Sequence, residues 1–172
     1  KNGSGLKDCS REGLRYIQET TAKFAEDTGG PAEKRLEAAR LLATFDATAA
    51  RNPLLGFLDG KDETLRFGAL QGLIRWAPDG LTDILLPRWK DFSPRSRDEA
   101  LGFMLKTNLR TKVLLAAIED GGVAIKDLSA SRLQSLRTLK DSALRTRAVK
   151  LVGPLPPPTE KVPRAKVIES YL

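Results

Sequence analysis

The sequence predicts an all-α fold, a right-handed solenoid of helical hairpins, on three observations. First, the pattern Arg-x-x-Ala-x-x-x-apolar recurs at Arg35-Ala38-Leu42, Arg66-Ala69-Leu73 and Arg97-Ala100-Met104, at offsets of 31 residues, and again at Arg145-Ala148-Val152 after 48. Second, an apolar cluster follows each of the first three copies: Leu54, Leu55 and Leu58; Ile84, Leu85 and Trp89; Leu114, Leu115 and Ile118. Leu54, Ile84 and Leu114 are 30 residues apart. Third, no stretch sustains the period-2 alternation of a half-buried strand. A single amphipathic hairpin cannot bury its own apolar stripe, so repeated hairpins stack and share one core.

The elements follow in order. An early helix is expected from about Ser10 to Glu26, with Leu14, Ile17 and Phe24 inward, ended by Gly29-Gly30-Pro31. Ala38, Leu41, Leu42 and Phe45 lie at i, i+3, i+4 and i+7, which places them on one helical face. Leu65, Ala69, Leu73 and Trp76 do the same in the next unit. The small alanine in each first helix lets a neighbour approach closely. Asn52-Pro53 is read as a helix start, with Pro53 near the first helical position, where its missing N–H costs little. Asp59-Gly60 ends that helix, and Ala77-Pro78-Asp79-Gly80 separates the next pair. Ser93-Pro94 opens the third unit with Ser93 as N-cap. Asp120-Gly121-Gly122 closes it. Helices from about Ala130 to Leu139, with Leu133, Leu136 and Leu139 on one face, and from Ala143 to Val152 follow, the latter capped by Ser142. The organisation is therefore residues 1–30 as an N-terminal helix, 31–152 as repeats, 153–161 as an extended Pro-rich linker and 162–172 as a short C-terminal helix. Lys1–Gly5 reads as a cloning scar or a cut end, and the last helix reads as leading into a further domain.

Composition removes several chemistries. The 172 residues include no histidine, which excludes histidine triads, imidazole acid–base catalysis and histidine metal ligands. The one cysteine, Cys9, forms neither an internal disulfide nor a Cys-x-x-Cys metal site, and is read as a small structural residue. No apolar run approaches the roughly 20 residues that span a bilayer, so no membrane insertion is expected. The formal charge of +7 permits an acidic partner without requiring one.

Unit length is shorter than the roughly 40 residues of HEAT repeats, but the Trp-x-x-Leu-Gly-x-x-Tyr pattern of TPR units is absent. The expected subtype is a HEAT/ARM-like α-α superhelix. From Val113 onward the chain reads as helix, Gly turn, the Ile125-Lys-Asp-Leu128 connector, Arg132-Leu-Gln-Ser-Leu136, Leu139-Lys-Asp-Ser-Ala-Leu-Arg-Thr-Arg-Ala148 and Arg164-Ala-Lys-Val-Ile-Glu-Ser-Tyr171. This order resembles the HEAT-like region of the planctomycete-type large haem-binding (c-type cytochrome) membrane-bound dehydrogenase-like proteins. Where that family has a His before the Asp of the turn, Leu139-Lys140 stands here. The resemblance implies a non-catalytic spacer between a sugar-dehydrogenase-like propeller and a c-type cytochrome domain, in an extracytoplasmic or periplasmic redox protein. It places haem c in a downstream domain of the parent, because this chain has no Cys-x-x-Cys-His. Neighbouring domains of the parent, or another protein, are then the partners.

No catalytic, cofactor or metal residue is assigned. The acidic pairs Glu26/Asp27, Asp59/Asp62/Glu63, Asp98/Glu99 and Glu119/Asp120 fall at helix ends or first turns, where carboxylates serve as caps or solvated turns. Arg35, Arg66, Arg97 and Arg145 are read as stacking residues that pair with an acid or carbonyl of an adjacent unit, against the alternative of an anion-binding ladder. The candidate surface for an anion or partner is Arg88, Lys90 and Arg95, set around Trp89 and Phe92. Basic groups beside aromatics carry the alternative function, a nucleic-acid-binding module of DNA glycosylase type, with Asp91 beside Trp89 as its acid. A free-standing protein-binding scaffold is the third reading.

Overall fold

The structure, a computed structural model, describes residues 5–76 and 79–154, with side chains from Glu12 onward. Lys1–Ser4, the Cys9 side chain, Ala77-Pro78, the linker beyond Pro154 and the expected helix over 162–172 lie outside the described residues. Among the described residues every regular element is a helix. In order come α1 (Gly5–Glu26), α2 (Ala32–Phe45), α3 (Ala47–Leu58), α4 (Glu63–Trp76) and α5 (Leu81–Leu85), which continues into a 3-10 segment, Leu86–Asp91. Then come α6 (Pro94–Met104), α7 (Asn108–Glu119), a 3-10 turn (Ile125–Asp127), α8 (Ala130–Arg137) and α9 (Ser142–Val152).

Helices pack on their sequence neighbours and on the next helix but one. The contacts α2–α4, α4–α6 and α6–α8 form one row; α1–α3, α5–α7 and α7–α9 lie on the other side. A single apolar cluster runs from Ala25 and Leu36 to Leu144 and Ala148 between them. All three apolar clusters of the sequence pattern reach it, with Leu54, Leu85 and Leu114 fully buried.

Glycine sets how closely the first row approaches. Gly68 and Gly72, one turn apart on α4, face α2. A Cβ at Gly68 would lie 2.7 Å from the Leu36 side chain, and one at Gly72 would lie 3.2 Å from Arg40 Cγ and 3.3 Å from Leu54. The alanines are therefore not alone in permitting contact: on α4 the closest approach needs no side chain at all.

Several expectations are corrected. Leu14, Ile17 and Phe24 are 52%, 47% and 41% exposed, not inward. In the described region of α1 the residues that lose exposure are Gln18, Thr21, Ala22 and Ala25. The helix has described neighbours on one side only, so it buries one narrow stripe. Leu41 and Phe45 likewise face out, while Leu36, Ala39 and Leu42 form the buried face of α2. Pro53 does not open a helix: Asp46 starts α3 six residues before Asn52, its carboxylate accepting the Ala49 N–H at 3.0 Å, and Pro53 sits inside. The second segment of the middle unit is helical for only five residues. Pro87, which has no N–H to donate, falls where it turns into a 3-10 segment. α9 is capped by Asp141, not Ser142, through the Leu144 N–H at 3.0 Å. Gly121 takes the left-handed conformation after α7 (φ 76°), but Gly29 and Gly30 do not take it after α1.

The fourth arginine copy is also relocated. Arg145 lies in α9, on the row of α7, whereas Arg35, Arg66 and Arg97 lie in α2, α4 and α6 of the other row. The break from a spacing of 31 to one of 48 thus marks a change of row.

Two glycine substitutions test the packing with opposite signs. Gly68→Val should destabilise by about 1–3 kcal/mol through overpacking against Leu36. Gly56→Ala, exposed in α3 with open space around it, should stabilise by about 0.5–1 kcal/mol. Urea unfolding followed by circular dichroism measures both.

Candidate functional site

The recurrent arginines occupy one local position. Arg35, Arg66, Arg97 and Arg145 are each the fourth residue of their helix, and each backbone N–H closes the first turn onto the carbonyl of the residue just before it. From there a guanidinium can reach back over the preceding loop, whose carbonyls have no helical partner. Arg66 Nε donates to the Gly60 carbonyl at 3.1 Å, and its Nη1 donates to the Asp91 carbonyl at 2.5 Å. Arg97 donates to the carbonyls of Trp89 and Lys90, both at 3.1 Å, and Arg145 to that of Leu139 at 3.1 Å. The main acceptor is thus the segment just before the arginine's own helix, a loop for Arg66 and Arg145 and the end of the 3-10 segment for Arg97. An adjacent unit is reached by Arg66 through Asp91 and by Arg97 through Asp127, at 3.0 Å. Arg35 departs from the pattern. Its Nε is buried without a hydrogen-bond partner among the described residues, and its guanidinium lies 5.3 Å from the Phe57 ring centroid. It lines a cleft of about 480 Å³ with Glu26, Asn52 and Phe57.

Of the acidic pairs, Asp59, Glu63, Asp98 and Glu119 are drawn into links between units. Asp59 accepts from Arg88 Nε at 2.5 Å and Nη2 at 3.0 Å. Asp62 caps α4 through the Thr64 N–H at 2.8 Å. Glu63 accepts from Ser93 and, at 2.9 Å, from Ser96. Asp98 accepts from Arg132 at 2.8 Å and 3.1 Å and from Ser129 at 2.9 Å. Glu119 pairs with both donors of Arg147. These guanidinium donors hold the Asp59, Asp98 and Glu119 carboxyls below the usual carboxylate range.

The candidate surface is largely engaged. Arg88 is held by Asp59 and by the Ile84 carbonyl at 2.8 Å. Arg95 lies over the Phe67 ring at 3.8 Å, a cation–π contact from α6 to α4. Lys90 is exposed. Trp89 and Phe92 are core residues, 2% and 3% exposed, so neither ring is free to stack on a base. Trp89 Nε1 donates to Asp127 at 3.2 Å, and that carboxylate also pairs with Arg97. Asp91 takes part through its backbone carbonyl. Asp127, missed in the sequence reading, is the acid that joins the indole to the third recurrent arginine. Its signal was an acid in the connector 30 residues beyond Arg97. Among the described residues no group of three or more Cys, Asp or Glu side chains is placed to hold a metal ion.

No family model, curated protein or solved structure matches the chain.

Two predictions follow from these links. A carboxyl whose value is lower folded than unfolded contributes stability above the unfolded carboxylate range, and that stability is lost as pH falls through the lowered folded value. Unfolding midpoints should therefore fall on acidification below about pH 4, and the double variant Asp59→Asn/Asp98→Asn should show a shallower acid loss, measured by urea titration across pH. Asp127→Ala should cost about 1–3 kcal/mol, because it strands the Trp89 N–H and one face of Arg97. It should also shift the tryptophan emission, whereas Asp79→Ala should do neither.

Proposed function

We propose that the chain is a non-catalytic helical-repeat scaffold whose hairpins form a HEAT-like, right-handed α-α superhelix. Its role is that of a spacer between a sugar-dehydrogenase-like propeller and a c-type cytochrome domain in a larger extracytoplasmic redox protein. The observation that supports it is the use made of polar side chains. Arg88–Asp59, Ser96–Glu63, Arg97–Asp127, Arg132–Asp98 and Arg147–Glu119 all join residues 28–34 apart, about one repeat. Groups that would supply acid–base or anion-binding chemistry instead tie each unit to the next. A spacer needs this: resistance to sliding between units, with the reactive groups carried by other domains. The domain context rests on the sequence resemblance.

Sequencing the parent gene outward from both ends tests the reading. A propeller-coding region upstream and a Cys-x-x-Cys-His motif soon after Leu172 are expected. A reading frame with neither removes the spacer role, and turnover of a substrate by the isolated chain would remove the non-catalytic one.

A further inference from the structure

A cleft of about 390 Å³ between α2 and α4 is lined by Arg40, Ala43, Thr44, Gly72, Arg75 and Trp76. It lies apart from the arginine–carboxylate links described above. Elsewhere in the described residues the arginines other than the exposed Arg51 are engaged by carbonyls, carboxylates or aromatic rings. Arg40 and Arg75 have no such partner among the described residues, and both are exposed on the same cleft. Among the described residues no carboxylate lines it. Two guanidinium groups share the space without a counter-charge, and their mutual repulsion favours an anion there.

The lining adds more than charge. Gly72 is the floor under Arg40: a Cβ there would lie 3.2 Å from Arg40 Cγ, so the arginine stem crosses α4 where α4 has no side chain. A glycine inside a helix costs about 1 kcal/mol relative to alanine, and here it admits both the Arg40 stem and Leu54. Trp76, half-buried at the end of α4, supplies an aromatic wall. Thr44 already donates its hydroxyl hydrogen to the Leu41 carbonyl at 2.7 Å, so toward the cleft it can only accept.

From this arrangement we infer that the α2–α4 cleft binds a small organic oxyanion that carries a planar ring, with Arg40 and Arg75 on the oxyanion and Trp76 on the ring. A nucleoside monophosphate has this chemistry: phosphate for the two guanidinium groups, a base for the indole and a hydroxyl or amino donor for Thr44. The volume falls in the range of small-ligand sites.

Tryptophan fluorescence of the intact chain tests the assignment. Trp89 is 2% exposed, so quenching by a ligand reports Trp76. AMP and phenyl phosphate, titrated separately at about 0.15 M salt, should each give saturable quenching with millimolar or tighter affinity. Inorganic phosphate, which lacks the ring, and adenosine, which lacks the anion, should each bind at least about tenfold more weakly than AMP. Arg40→Gln/Arg75→Gln should weaken AMP at least about tenfold with an unchanged circular dichroism spectrum, whereas Arg51→Gln, an exposed arginine outside the cleft, should not. Trp76→Phe, followed by calorimetry, should retain binding with reduced affinity. The proposal is overturned by any of three results: no saturable change with either probe up to about 10 mM, AMP binding by the double arginine variant within about twofold of wild type, or equal binding of AMP with adenosine or with phosphate alone.

Discussion

A helical hairpin repeats only if the loop between one unit and the next is held, because every helix end leaves carbonyls or N–H groups without a helical partner. In this chain the holding group is an arginine at the fourth residue of the helix. Its backbone N–H closes the first turn, and in α4, α6 and α9 its guanidinium reaches back to carbonyls of the preceding segment six to eight residues earlier. Charge-assisted hydrogen bonds of this kind are stronger than neutral ones, and Arg66 and Arg97 make theirs with side chains only 15% and 20% exposed. The loop is thereby fixed against the helix that follows it, and the direction in which the next hairpin leaves is set. The same residue extends the hold sideways, Arg66 to Asp91 and Arg97 to Asp127.

Around that clamp the units are joined in two ways. Apolar side chains from both rows fill one continuous cluster, which supplies the burial. Ion pairs and hydroxyl–carboxylate contacts then bridge neighbouring units at the surface. Exposed pairs of this kind contribute little stability singly, about 0–1 kcal/mol. Their use is in register: each accepts one placement of the next unit and none a turn away. This division of labour suits the proposed scaffold role. The α2–α4 cleft lies outside these links, and there two arginines, Arg40 and Arg75, share one space.

The N-terminal unit relaxes the pattern. Pro31 stands where Asp62, Ser93 and Asp141 cap later helices, and Arg35 lacks the carbonyl partners of its counterparts. Leu14, Ile17, Phe24, Leu41 and Phe45 are all substantially exposed on α1 and α2. For Leu14, Ile17 and Phe24 the cause is position in the chain. Contacts in an array come from the units on either side, and α1 has a described neighbour on one side alone.

The sequence by itself determined the helical class, most turn positions and the repeat. Spacings of three and four residues fix which side chains share a helical face, and caps such as Ser93-Pro94 act through bonds within one turn. The clamp was partly legible, since its arginine recurs at 31 residues, although its acceptors were not. A carbonyl carries no sequence signature, and Asp127 becomes a partner only when two units lie side by side. Periodicity also could not choose between faces of equal apolarity. Leu41 and Phe45 share a face with Leu42, yet only the position of α4, which turns Gly68 and Gly72 toward α2, decides that the α2 face centred on Leu36, Ala39 and Leu42 is the one buried. For the same reason Arg88 and Arg95 look free in sequence and are held in space, by Asp59 and Phe67 of the preceding unit, while Arg40 and Arg75, unremarked in sequence, meet at one cleft. Tertiary structure decided these because each depends on a distance between residues about thirty positions apart, which no local spacing encodes.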